Sequence, residues 1–150
     1  MDKPNYVYVT YIKTTAEKLF AALTKPEFTR QYWFGISFET DWRVGSNFVA
    51  QNSDGTKGIT GKVLEYDPPR RLSYTFLPKN VQNDEPSRVV LILEPAGEQI
   101  KLTVVHDQFA VGSKQPEGIS QGWPAVLSGL KTLLETGKAL NMPAPCCSKE

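Results

Sequence analysis

The stretch GWPAVLSGLKTLLETG, Gly122 to Gly137, decides how the rest of the chain is read. With Ile119 before it, Trp123, Val126, Leu127, Leu130, Leu133 and Leu134 follow the i, i+3, i+4, i+7 spacing of one helix face. At about 100° per residue they cover a stripe about 120° wide, and Ser128, Thr132 and Glu135 fall on the opposite side. Pro124 lacks the N–H that an inner turn needs, which predicts a start near Ile119. Gly137 suits a C-cap, with Lys138 to Leu140 as an alternative further turn. Such a helix must lay its apolar face on something.

The rest of the chain offers a sheet. NYVYVTYIKT (Asn5 to Thr14) is rich in β-branched and aromatic residues. Both of its alternating sets, Tyr6/Tyr8/Thr10/Ile12 and Val7/Val9/Tyr11, contain apolar side chains, so the strand is expected to be covered on much of both faces. Thr14 or Thr15 caps a short helix, AEKLFAALT, with Leu19, Phe20 and Leu23 on one side. Pro26 ends it and opens a second short helix, PEFTRQYW. After Gly35 the pattern changes to strands and turns. ISFETDW, NFVAQ, GITGKVLEY, LSYTFLP, SRVVLILEP and IKLTVVHDQF read as strands. NSDG (Asn52 to Gly55) is a hairpin signal, and Pro68 with Pro69 forces a turn. Gly61, inside a strand, marks a bulge or a close approach. In the last strand Ile100, Leu102, Val104 and His106 share one face, and Lys101, Thr103 and Asp107 the other.

The order is therefore strand, two short helices, six strands, one long helix. It predicts one α+β domain over residues 1–140, a curved antiparallel sheet against the long helix, and a disordered tail over 141–150. A straight helix over a curved sheet leaves a gap. Gly122 and Gly129 flank the apolar stripe and enlarge it, as does Gly61 if it faces inward.

Composition excludes several functions. The 150 residues hold 17 basic and 16 acidic side chains, a net charge of +1, which argues against nucleic-acid binding. MDKPNYVYVTYI has no apolar signal core, and no run approaches the roughly 18 apolar residues of a membrane span. A soluble, cytoplasmic protein is expected. The only cysteines, Cys146 and Cys147, lie together near the end and read as free thiols, since a metal site needs more ligands. Neither a Gly-rich phosphate loop, a Cys/His cluster nor a GxSxG elbow is present, so no metal or organic cofactor is expected.

Five segments in order carry a resemblance: TRQYWFG (Thr29 to Gly35), DWRVGS (Asp41 to Ser46), VLEYDPPRRLSYTF (Val63 to Phe76), LTVVHDQF (Leu102 to Phe109) and GWPAVLSGLKTLLETG. From about Val7 to Leu140 the chain resembles the bacterial proteins named after the activator of the ninety-kilodalton heat-shock protein's ATPase, within the START-like, polyketide-cyclase-like superfamily. The resemblance implies a helix-grip fold, a curved seven-stranded antiparallel sheet gripping a C-terminal helix. It implies binding of an apolar molecule between sheet and helix, as in relatives that hold lipids, sterols, polyketides or plant hormones. Some relatives cyclise or dehydrate polyketides. The family name points to a chaperone partner, although the separate N-terminal domain of the eukaryotic co-chaperone has no counterpart in this chain.

The walls of such a cavity are expected to be Trp33, Phe34, Phe48, Tyr74, Phe76, His106, Trp123, Val126, Leu127 and Leu130. The same aromatic set also reads as a filled core. His106 and Tyr74 supply directional hydrogen bonds. A catalytic His106 would need a proton-transfer partner, for which Tyr74 and Glu65 are the candidates, whereas a buried histidine satisfied by one neighbour is the more common role. Asp107 is expected to point outward, and the phase of Glu65 is left open by Gly61. The expected function is binding of a small apolar or aromatic ligand. The rivals are a cyclase- or hydrolase-type enzyme and a chaperone-interacting module, as monomer or homodimer.

Overall fold

Hydrophobic periodicity carries over into the order of elements. A computed structural model describes residues 6–78, 85–109 and 115–140, the side chains of residues 115–118, 120 and 121 excepted. Strand β1 (Tyr6–Ile12) leads into helices α1 (Ala16–Thr24) and α2 (Pro26–Tyr32). Six strands follow: β2 (Ser37–Glu39), β3 (Asn47–Gln51), β4 (Lys57–Asp67), β5 (Arg71–Pro78), β6 (Ser87–Ala96) and β7 (Gln99–Asp107). Helix α3 (Gln115–Thr136) comes last. The polar loop beginning at residue 79, the glycine- and proline-bearing segment beginning at residue 110, and the tail with Cys146 and Cys147 lie largely or wholly outside the described residues.

The strands form one antiparallel sheet in the order β1-β7-β6-β5-β4-β3-β2. From β2 to β7 each strand pairs with its successor. β1 instead pairs with β7, so α1 and α2 carry the chain from one edge of the sheet to the other. The inward residues of β7, Ile100, Leu102, Val104 and His106, are all buried, as their alternation predicts. Ile100, Leu102 and Val104 join α3's Trp123, Val126, Leu127 and Leu130 in one core. This is the α+β helix-grip arrangement that the sequence implied.

Local chemistry explains the helix ends. Thr15 caps α1, its Oγ1 accepting the Lys18 N–H at 3.2 Å. Pro26 occupies the first turn of α2. Gly137, at φ 84°, closes α3 by donating its N–H to the Leu133 carbonyl at 2.8 Å. The other end of α3 differs from expectation. It starts at Gln115, so Pro124 sits inside the helix. The apolar face packed on the sheet outweighs one missing backbone bond.

β1 also departs from its reading. Val7, Val9 and Tyr11 are 55%, 46% and 49% exposed, so only the face with Tyr6, Tyr8 and Ile12 meets the core. The reason is position: Val7, Val9 and Tyr11 lie on the sheet face away from the core, and β1, as an edge strand, has a neighbouring strand on one side only, neither of which its residues reveal. Part of its free edge is covered by α3. Lys131 Nζ donates to the Tyr11 carbonyl and to Glu135, each at 2.7 Å, and Glu135 accepts the Lys13 N–H at 2.9 Å. Those bonds hold the carboxyl of Glu135 below its usual range.

Candidate functional site

Between β2–β5 and α3 the buried aromatic side chains meet. The Phe48 ring lies 5.4 Å from Phe38 and 5.1 Å from Tyr74. Trp33, from the end of α2, lies 5.3 Å from Trp123 on α3 and 5.2 Å from Phe38. Phe76 meets His106 edge to face at 4.8 Å, and Phe109 lies 4.7 Å from the same imidazole. Phe38 and Phe48 stack at 24°, and the other pairs are tilted or edge-on, the offset arrangements that aromatic quadrupoles favour. Of the residues expected to form the walls, Trp33, Phe48, Tyr74, Phe76, His106 and Trp123 are thus brought together. Val126, Leu127 and Leu130 are buried on the sheet-facing side of α3. Phe34 is half-buried at φ 51° in the turn before β2 and makes no ring contact with the cluster among the described residues.

His106 is wired at both ring nitrogens. The Trp123 indole N–H donates to Nδ1 at 3.0 Å, and Nε2 lies 2.7 Å from Ser87 Oγ. An indole N–H can only donate, so Nδ1 is unprotonated and the imidazole proton sits on Nε2, donating to Ser87. Ser87 Oγ donates in turn to the Phe76 carbonyl at 3.1 Å. A serine 2.7 Å from a histidine suggests a nucleophile and its base. The tautomer runs the other way: Nε2 carries a proton and cannot accept one from Ser87. Burial lowers the His106 pKa to about 3, with Asp107 opposing weakly. Asp107 points outward, as expected, into a bidentate pair with Arg88 at 2.9 and 2.7 Å.

Tyr74 is the opposite case. It is 1% exposed, and burial alone raises its phenol well above the usual tyrosine range. Among the described residues no hydrogen bond reaches its hydroxyl, whereas every side-chain polar atom fully shut from solvent has a partner. The Tyr74 hydroxyl is therefore not completely shut from solvent. Nearby Tyr32, also buried, donates its hydroxyl to the Ala22 carbonyl at 2.8 Å.

The glycines behave differently from one another. A Cβ on Gly61 would run into the Thr75 carbonyl and the Phe48 ring, so that space is filled. One on Gly129 would lie 3.3 Å from Tyr32 Cβ, where α2 crosses α3 closely. Only at Gly122, of the three, is nothing within 4 Å. Glu65 is exposed and pairs with Arg71 at 2.8 Å, following a register shift between Val63 and Glu65. It is no partner for His106. Sequence reasoning missed Phe38, Trp42, Tyr66 and Phe109. Phe38 and Phe109 had a detectable signal, as apolar residues at strand positions or just beyond a strand. Trp42 and Tyr66 had it too, as the last residues of ISFETDW and GITGKVLEY, although β2 ends at Glu39 and leaves Trp42 in the turn beyond it, while Tyr66 pairs with Leu72 near the end of β4.

Among the described residues no three His, Cys, Asp or Glu side chains group as metal ligands, and no helix is long and apolar enough to cross a membrane.

Comparison with known proteins agrees with this architecture. Residues 13–135 match the family model described as Activator of Hsp90 ATPase homolog 1-like protein. No curated protein matches the chain. Among solved structures, the Aha1 dimer of Colwellia psychrerythraea is 20% identical with a TM-score of 0.76, covering 91% of this chain and 99% of that one. CalU16 of Micromonospora echinospora is 22% identical with a TM-score of 0.72, over 90% of this chain and 78% of that one. PFC0360w, an Hsp90 activator from Plasmodium falciparum, is 20% identical with a TM-score of 0.73, over 87% and 95%. At these identities the likeness is one of fold.

Proposed function

The chain belongs to the Activator of Hsp90 ATPase homolog 1-like family, and on that premise we propose that it binds a small apolar or aromatic molecule between the sheet and α3. The observation that carries this reading is the Tyr74 hydroxyl among buried rings, without a hydrogen-bond partner among the described residues. It offers one directional bond, and Trp33, Phe48, Phe76, Trp123 and Leu127 offer apolar area. His106 orients Trp123 and does not bind the ligand through a nitrogen, because both are engaged. The same wiring speaks against a cyclase or hydrolase with His106 as base.

Tyr74→Phe deletes a group with no hydrogen-bond partner among the described residues. It is expected to leave folding stability within about 1 kcal/mol of wild type. It is also expected to weaken a neutral probe, N-phenylnaphthylamine, whose amine can bond the hydroxyl, by roughly threefold to tenfold. Fluorescence titration reads the affinity, and native mass spectrometry of freshly purified protein reads any molecule that copurifies. The proposal fails if neither method finds a bound molecule and tryptophan emission ignores a broad set of apolar compounds.

A second reading, a protein-interaction module, is favoured by the outward face of β1. Val7, Val9 and Tyr11 present apolar side chains to solvent beside an open sheet edge. The partner is then an Hsp90-type chaperone or a second copy of the chain. On this reading Val9→Lys abolishes chaperone retention in a pull-down, or shifts a dimer to monomer in sedimentation velocity. Unchanged behaviour in both removes it.

A further inference from the structure

Four rings form a near-parallel series from the surface into the core. Tyr66 and Trp42 lie 6.1 Å apart at 19°, Trp42 and Phe38 6.1 Å apart at 23°, and Phe38 and Phe48 5.4 Å apart at 24°. Exposure falls along the series, from 37% at Tyr66 through half-buried Trp42 to 3% at Phe38 and 1% at Phe48. Both Phe38 and Phe48 touch Tyr74. Planes this parallel at such separations are slipped past one another, and of the four rings Tyr66 and Trp42 keep substantial exposed surface.

The backbone holds the outer rings in place. Trp42 adopts φ 56°, the left-handed region that a bulky residue enters only at a cost of about 1 kcal/mol or more. The bonds around it sustain that conformation. Thr40 Oγ1 donates to the Asn47 carbonyl at 2.9 Å, the Gly45 N–H to Val63 at 2.8 Å, and the Val63 N–H to Ser46 at 2.8 Å. Phe34 and Gln108 share this backbone region, and at Trp42 it fixes the direction in which the indole leaves the turn. Tyr66 is held from the other side by Phe20, edge to face at 5.5 Å.

The electrostatics select the ligand. Among the described residues, the buried polar side chains are serines, threonines and His106, none of them charged in its present state. At the rim, Asp67 pairs with Arg70 and Glu65 with Arg71. An ionic ligand would find no counter-charge inside.

From these observations, and resting on the ligand-binding reading above, we infer that Trp42 and Tyr66 form an outer aromatic subsite for flat, uncharged polycyclic or biaryl molecules. Ring-to-ring steps of 6.1 Å and 5.9 Å lead from Trp42 through the buried Phe38 ring to Tyr74, so Phe38 couples the outer rings to the inner cluster. The subsite sets specificity: it favours extended planar molecules over compact or charged ones.

N-phenylnaphthylamine and its sulfonated analogue test the inference by fluorescence titration. Wild type is expected to bind the neutral probe at least about tenfold more tightly than the anionic one. Trp42→Leu and Tyr66→Leu should each weaken the neutral probe about fivefold to tenfold, and Trp42→Phe, which keeps a ring, should recover most of the loss. Tyr66→Leu, at an exposed position, remains readable if Trp42→Leu does not fold. Tyr74→Phe serves as the inner reference. If wild type binds and Tyr74→Phe weakens binding, but Tyr66→Leu and the Trp42 variants do not, the outer subsite alone is wrong. If wild type binds neither probe, the ligand-binding reading falls and the subsite with it. Equal affinity for the two probes overturns the preference for uncharged ligands.

Discussion

Acidification from about pH 7 to about pH 5 is expected to remove roughly 2 kcal/mol of folding stability, and His106 is expected to account for most of it. In the unfolded chain this histidine binds a proton near its ordinary pKa of 6.5, whereas in the fold burial holds that pKa to about 3. The fold also opposes protonation by geometry. A proton on Nδ1 would face the Trp123 N–H, donor against donor, 3.0 Å apart. Below the unfolded pKa the unfolded state therefore binds more protons than the native state. Stability falls as pH drops from about 6.5 towards 3, for a total of about 4 kcal/mol. Glu135 has the same sign but acts lower, because its lowered pKa keeps it ionised until the carboxylate range is crossed. Urea unfolding between pH 7 and pH 5 isolates the histidine. His106→Gln should flatten the slope, whatever its absolute stability. Trp123→Phe should make it shallower, since Nδ1 is then free to take the proton. A slope unchanged in His106→Gln would refute the assignment.

The same residue shows where sequence reading stops. Its burial followed from alternation along β7, because parity is local and a strand repeats every two residues. Its partners did not follow. Ser87 and Trp123 are 19 and 17 residues away, on a neighbouring strand and on α3, and only the register Val89↔His106 brings Ser87 within reach. The element order and the caps at Thr15 and Gly137 were legible for the same reason as the alternation, each depending on residues a few positions apart. The exposure of Val7, Val9 and Tyr11 was not, since the face away from the core and the sheet edge are both defined by where the other elements lie. Nor was the direction of Glu65, which depends on a register shift beside it. In the candidate site the buried rings were legible as a set. The lack of a partner for the Tyr74 hydroxyl among the described residues and the left-handed backbone of Trp42 were properties of the assembled fold.

Gly61 is the position where one added methyl is expected to do the most damage. It pairs with Phe48 across β3 and β4, and the Phe48 ring folds back over it. A Cβ there would collide with the Thr75 carbonyl and with Phe48 Cε2, and would lie 2.7 Å from Cζ. The phenyl ring can turn aside. The carbonyl belongs to β5 and moves only with its strand. Overpacking of this kind costs typically 1–3 kcal/mol, and an obstacle in the backbone places Gly61→Ala at the upper end, about 3 kcal/mol, with Gly61→Val beyond it. For a chain of this length that lowers the midpoint of thermal unfolding by about 10 °C. If Phe48 is the yielding obstacle, Gly61→Ala and Phe48→Leu should combine non-additively by about 1 kcal/mol or more, since the smaller side chain relieves part of the collision. Gly61→Ala within about 0.5 kcal/mol of wild type would show that the approach is not tight. The consequence for the site is direct. Phe48 holds Phe38 at 5.4 Å and Tyr74 at 5.1 Å, so a displaced ring disorders the inner end of the series. Gly61→Ala protein that still folds should lose affinity for N-phenylnaphthylamine by more than Tyr74→Phe does, because it misplaces the hydroxyl and the rings together.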